Sequence, residues 1–115
     1  MEAEGFSPLT WAFGRWLHAT VLRDSGTSMR PILESGTIIL YEPATRESDV
    51  HVGQIILRRG GNPFGDSKVT AHMVYEVSRD ERGWYVLTRG INNRWVDDGR
   101  VRFSDVFAIV RAVLY

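Results

Sequence analysis

The sequence predicts a mostly β domain of barrel or sandwich type, with a short N-terminal helix. Runs of β-branched and aromatic residues recur after residue 36, and turn-forming residues separate them. This pattern is typical of all-β barrels and sandwiches rather than of βαβ units. The length of 115 residues suits one domain. We therefore expect a single domain over 1–115, with a helical segment over 1–20 and a β core over 21–115.

The N-terminal helix is predicted from the spacing of apolar residues. Leu9, Phe13, Trp16 and Leu17 recur at the interval that places side chains on one face of a helix. We expect this helix within 8–22, turning into a strand near its end. Its apolar face is expected to pack on the core.

Five strands are predicted from the β-rich runs. They cover 37–41, 54–57, 69–77, 84–88 and 106–114. The segment 59–66 is rich in Gly, Pro, Asn and Asp, which predicts a loop between two strands. A second polar loop is expected over 90–99.

Composition excludes several kinds of site. Fourteen basic and fourteen acidic residues give zero net charge, so the chain lacks the electrostatic footprint of a nucleic-acid-binding protein. The absence of cysteine excludes a thiol nucleophile and a cysteine-based metal site. We predict neither a metal nor a cofactor, and no nucleic acid as partner.

The sequence predicts neither a membrane span nor a signal peptide, so we expect a cytoplasmic protein. The longest uncharged stretch, 5–14, has ten residues, against about 20 needed to cross a bilayer. The first residues are acidic, where a signal peptide carries basic ones. Peripheral membrane contact stays open, because four aromatic residues could form an apolar rim for a membrane or a substrate: Trp11, Trp16, Phe64 and Trp95. Packing roles are favoured for these four, and Trp95 is expected to be the most exposed.

A candidate nucleophile lies in the segment 26–36. Ser28 stands between Gly26, which permits unusual backbone angles, and Pro31, which restricts the residue before it. Such a turn can hold a serine hydroxyl rigidly and direct backbone N–H groups at one point, as an acyl-transfer enzyme requires. Taken alone, the pattern favours an ordinary serine in a surface turn.

The wider pattern resembles the signal peptidase and LexA-type superfamily of serine peptidases. Gly-x-Ser-Met-x-Pro-x-Leu-x-x-Gly over 26–36 is similar to the nucleophile box, and the segment 69–74 is similar to the box of the general base. The segments 87–93 and 96–98 resemble the third box of the histidine-type enzymes, as in endoplasmic-reticulum signal peptidase. The resemblance implies a LexA/signal-peptidase-like β-barrel-type core and an endopeptidase. It is strongest to the small stand-alone soluble members from bacteria and their phages.

The resemblance implies a catalytic role for three residues. Ser28 would be the nucleophile, His72 the base and Asp98 the carboxylate that orients the imidazole. Asp97 is an alternative acid, because the loop before it contains one extra residue. The oxyanion hole would use the backbone N–H of Ser28. Gly26 stands where signal peptidases often carry a second donor.

Lys68 is the alternative base. It is the only lysine in the chain and would share one face of a strand with Thr70 and His72. A lysine base must be desolvated to lose its proton at neutral pH. We favour His72, because it occupies the position of the base in the resembling box.

The implied substrate is an extended peptide that is cut after a small residue and bound by strand addition. Four positions that are usually charged in the family are neutral here, namely Thr37, Gln54, Met73 and Ile91. They motivate an alternative hypothesis, a catalytically inactive peptide- or protein-binding module on the same fold.

Overall fold

The chain folds into strands joined by turns. A computed structural model describes residues 2–3, 9–12, 14–23, 28–59 and 69–115. The strands are β1 (Glu2–Ala3), β2 (Leu9–Ala12), β3 (Arg15–Arg23), β4 (Ile38–Pro43), β5 (Ile55–Arg59), β6 (Val69–Asp80), β7 (Gly83–Arg89) and β8 (Val106–Leu114). Two 3-10 helices cover Glu47–Asp49 and Phe103–Asp105. The prediction of a mostly β fold is confirmed, and each of the five predicted strands overlaps an observed one.

The strands form a single antiparallel sheet in the order β1-β3-β4-β8-β5-β6-β7, with β2 paired to β3. The two-residue strand β1 also pairs with β6, through Glu2 and Thr70. The structure shows a single antiparallel sheet, and the predicted barrel type is not confirmed. For the site, the important point is that β6 lies between β5 and β7.

The predicted N-terminal helix is not confirmed, because the described part of 8–22 forms the hairpin of β2 and β3. Trp11 pairs with Trp16 across the hairpin, and Gly14 adopts a φ of 74° in the turn. Leu17 is fully buried, whereas Trp11 and Trp16 are about 60% exposed, which is the alternation of a strand. These two tryptophans therefore lie outside the core, but their rings pack on each other edge to face with centroids 5.3 Å apart. Phe64 lies outside the described residues.

The interior contains two clusters of buried apolar side chains. The first lies under the turn that carries Ser28 and comprises Leu22, Met29, Leu33, Ile39, Tyr41, Leu57, Ala71 and Ala108. The second lies under β6 and β7 and comprises Val50, Ile56, Val74, Trp84, Val86, Val101, Val106 and Ile109. Ile56 and Leu57 are neighbours on β5 in different clusters, so this strand is covered on both faces. Among the described residues, no helix has the length and apolar character that crossing a membrane requires.

An ionic cluster closes the β6–β7 hairpin. Arg102 donates two hydrogen bonds to Asp80, of 2.7 and 2.8 Å, and Arg100 donates another. Both guanidinium groups also lie over the ring of Tyr85. The hydrogen bond from Arg102, reinforced by that from Arg100, holds the pKa of Asp80 well below its ordinary value.

We expect Asp80→Asn to lower the melting temperature at pH 7. A carboxyl whose folded pKa is depressed stabilises the protein above its unfolded pKa, here 3.8, and this contribution is lost as the pH falls through the folded value. The difference in melting temperature from wild type should therefore shrink between about pH 4 and about pH 2. Thermal unfolding followed by circular dichroism measures it, with the exposed Glu76→Gln on the same strand as control. A difference in melting temperature that is equal at every pH would contradict a stabilising role of the ionised Asp80 carboxylate.

Candidate active site

Ser28 lies in a turn that is held by the buried core on one side and by the C-terminal residue Tyr115 on the other. The next residue, Met29, and the later Leu33 are fully buried in the first cluster, and the Leu33 N–H donates to the Met29 carbonyl at 2.9 Å. The hydroxyl of Tyr115 donates to the carbonyl of Ile32 within the same turn at 2.7 Å. The serine is therefore held on a fixed backbone, as the sequence predicts.

His72 extends from β6 towards this serine. Its Nε2 lies 3.1 Å from Ser28 Oγ, and the histidine is largely buried. The structure thus brings together the two residues that the sequence pairs as nucleophile and base. Lys68, the alternative base, and Gly26, the expected neighbour of the oxyanion hole, lie outside the described residues.

The carboxylate beside His72 belongs to Asp97. Its Oδ2 lies 2.5 Å from His72 Nδ1, whereas Asp98 is exposed and makes no hydrogen bond to the ring. The expectation of Asp98 is therefore corrected to the alternative, Asp97. The cause is a backbone hydrogen bond of 2.8 Å from the Asp97 N–H to the Thr88 carbonyl, which holds Asp97 against β7.

The partners of His72 define where its proton lies. An ionised carboxylate can only accept hydrogen bonds, so the 2.5 Å contact with Asp97 requires a proton on Nδ1. In the neutral imidazole, Nε2 then carries a lone pair and accepts the hydroxyl proton of Ser28. This is the tautomer that a general base needs, and it is inferred from the chemistry of the two partners.

The surroundings of Asp97 favour its ionised form. Burial by itself raises the pKa of this carboxyl. The hydrogen bonds from His72 and Thr88, together with the positive charge of Arg58, lower the pKa by more than burial raises it. The net effect is a pKa below the ordinary value for aspartate. At neutral pH, Asp97 therefore carries the charge that can stabilise an imidazolium at His72.

Two residues that the sequence analysis did not single out complete this network. Thr88 Oγ1 donates to Asp97 Oδ2 at 2.7 Å, and Arg58 Nη1 donates to Thr88 Oγ1 at 3.2 Å. Thr88 belongs to the segment that resembles the third peptidase box. Arg58 directly follows the apolar run 55–57 of β5. An arginine that continues a buried strand was the sequence signal that could have identified it as a site residue.

The loop after β7 packs closely against the serine turn. The Asn92 N–H donates to the Ser28 carbonyl at 2.7 Å, and the Ile91 N–H donates to Met29 Sδ at 3.3 Å. Gly90 makes this approach possible, since a Cβ there would lie 2.6 Å from the Ser28 carbonyl oxygen and 2.8 Å from Ser28 Cβ. Only glycine fits without displacing the nucleophile.

Thr37 and Gln54, two of the four neutral residues noted in the sequence, each hold a local turn. Thr37 Oγ1 accepts a hydrogen bond from the Glu34 N–H at 3.2 Å. The Gln54 side chain accepts from the His51 N–H at 2.7 Å and donates to the Asp49 carbonyl at 3.2 Å. Both side chains therefore have a local structural role that does not involve His72.

An open cavity of about 610 Å³ lies beside Asp97 and is lined by residues 92–98. Trp95 in this lining is 79% exposed, more than Trp11 and Trp16, as predicted for these three residues. In the described part of the chain, no group of histidine, aspartate and glutamate side chains could hold a metal ion.

No family model, curated protein or solved structure matches the chain.

Proposed function

We propose that this protein is a serine hydrolase that works by acyl transfer. The observation that carries the proposal is the hydrogen-bonded series of Ser28, His72 and Asp97, with contacts of 3.1 and 2.5 Å. A serine hydroxyl is a poor nucleophile until a base removes its proton, and a histidine is effective when a carboxylate orients it. The three residues come from separate segments of the chain, and the fold brings their side chains into one hydrogen-bonded series.

The series supports a two-step mechanism. Ser28 Oγ attacks the substrate carbonyl while its proton moves to His72 Nε2, and the imidazolium is stabilised by Asp97. The backbone N–H of Ser28 is the expected donor to the oxyanion. When the intermediate collapses, His72 returns the proton to the leaving amine. A water molecule then attacks the acyl-enzyme and gives a proton to His72. As this second intermediate collapses, His72 returns that proton to Ser28 Oγ, and the acid is released.

Within this class, we propose an endopeptidase of the signal peptidase and LexA type. The support is the agreement between the three boxes of the sequence and the segments that carry Ser28, His72 and Asp97, together with the mostly β fold. An extended peptide with a small residue before the cleaved bond is the substrate that this resemblance implies. The cytoplasmic location remains a prediction.

A fluorophosphonate probe tests the proposal. We expect a single covalent adduct on Ser28, detected by intact mass and peptide mapping, and no adduct on the Ser28→Ala variant. The matched control is Ser35→Ala, because Ser35 is an exposed serine close to the same turn. Peptides with alanine before the cleaved bond then test the substrate class by mass spectrometry of the products.

A well-folded wild-type protein that resists fluorophosphonate, diphenyl phosphonate and β-lactam probes would contradict the proposal. If that protein also bound extended peptides, the result would favour the non-catalytic module.

A further inference from the structure

Arg58 is a buried cation whose placement the mechanism does not explain. It is only about 9% exposed on β5, between strands that cover both of its edges. Arg58 Nη1 donates a hydrogen bond to the neutral hydroxyl of Thr88. Arg58 Nε has no hydrogen-bond partner among the described residues. Within the part of the chain that the structure describes, Arg58 donates to no carboxylate. A buried charge in that situation is costly, and an apolar residue of similar volume is often as stable or more so. Stability alone therefore does not account for an arginine here.

The direction of the hydrogen bonds relates this cation to the catalytic carboxylate. A guanidinium can only donate, so Thr88 Oγ1 accepts from Arg58 and its own O–H must turn to the other neighbour. That neighbour is Asp97 Oδ2, at 2.7 Å. Arg58 thereby orients the Thr88 hydroxyl as a donor to the same oxygen that holds His72.

Three adjacent strands supply the groups around Asp97. Arg58 lies on β5, His72 on β6 and Thr88 on β7. Thr88 is fully buried and holds Asp97 twice, through its hydroxyl and through its backbone carbonyl. Among the described residues, the negative charges of Asp97 and Asp105 favour the charged form of Arg58. Water has little access to Thr88, so the direction of its O–H is determined by its protein partners.

We propose that Arg58 and Thr88 are positioning residues that hold the Asp97 carboxylate ionised and in line with His72. The inference rests on the proposed function and extends it beyond the three reacting residues. Without the donor from Thr88, Asp97 Oδ2 keeps only its bond to His72 among the described residues, and the carboxylate is held less firmly. Without Arg58, the Thr88 hydroxyl loses the partner that directs it.

Four variants test this inference by acylation kinetics. Thr88→Val removes the hydroxyl at nearly constant shape, and Arg58→Met removes the cation. In both we expect kinact with a fluorophosphonate to fall about tenfold to a hundredfold, with KI within about twofold, because a misplaced catalytic group affects the chemical step rather than binding. Thr88→Ser keeps the hydroxyl and should retain most of the rate. Arg59→Met is the matched control, since Arg59 is exposed and contacts Ser104 and Phe107 instead.

A second measurement does not depend on activity. The titration of the Asp97 carboxyl, followed by carbon-13 NMR, should move to higher pH in Thr88→Val and Arg58→Met and stay unchanged in Arg59→Met. If the wild type forms no adduct, the proposed function fails, and this titration still decides whether the two residues act on Asp97. An unchanged titration and an unchanged kinact in a folded Thr88→Val would overturn the inference, even if Arg58→Met does not fold.

Discussion

Asp97→Asn is expected to lower the rate of acylation by about 10³- to 10⁴-fold, while Asp98→Asn stays within about twofold of wild type. The asparagine amide has no charge to stabilise an imidazolium at His72. Its NH₂ group can also donate to the ring, which would favour the tautomer that leaves Nε2 protonated. A protonated Nε2 cannot take the proton of Ser28. The adjacent Asp98 is exposed and makes no hydrogen bond to the ring, so its charge should matter little.

The measurement is kinact/KI with a fluorophosphonate for both variants and the wild type, at constant ionic strength. Because the two aspartates are neighbours in sequence, the pair controls for the net charge of the loop. A larger loss in Asp98→Asn than in Asp97→Asn would show that the carboxylate beside His72 is not the one that serves catalysis.

Gly90→Ala is the second substitution with a large expected effect. Its Cβ would lie 2.6 Å from the Ser28 carbonyl oxygen, 2.8 Å from Ser28 Cβ and 2.7 Å from Asn93 Nδ2. The first two contacts are with backbone or near-backbone atoms, so the serine turn must move away. We expect a loss of about 1–3 kcal/mol in the free energy of unfolding, from overpacking. We also expect a fall of about 100-fold or more in acylation, because a shift of about 1 Å at a reacting group has that effect.

Gly99→Ala is the control for the loop glycine. Gly99 has a φ of 82° and open space where a Cβ would be, so alanine there strains the backbone without a clash. This strain should cost about 1–2 kcal/mol of stability and leave the acylation rate unchanged. Gly90→Ala with wild-type labelling and an unchanged melting temperature would refute the close approach of the two loops.

The strands after residue 36 were predictable because each is a compact β-rich run between turn residues. The N-terminal hairpin was not, because a spacing of four, three and one between apolar residues fits a helical face. The alternation of exposed Trp16 and buried Leu17 becomes visible only once β3 has β4 as a neighbour, with His18 opposite Tyr41. The pairing partner decided the outcome, and local spacing carries no information about it.

At the site, the sequence identified Ser28 and His72 because each lies in a segment with a specific pattern. The choice between Asp97 and Asp98 was beyond sequence alone, since it depends on which of two loop residues bonds to the Thr88 carbonyl. The contact between Arg58 and Thr88 was hidden for a related reason. Arg58 and Thr88 are 30 residues apart and meet only because β5 and β7 flank the same strand.

The distances along the chain between the site residues have a consequence for the nascent protein. Ser28 lies 44 residues before His72, and His72 lies 25 residues before Asp97. Contacts of such long sequence separation form late in folding, and synthesis delivers the N-terminal residues first. Under the proposed function, the serine therefore emerges long before its base and its orienting carboxylate, and it stays unreactive until β6 and the loop after β7 have formed.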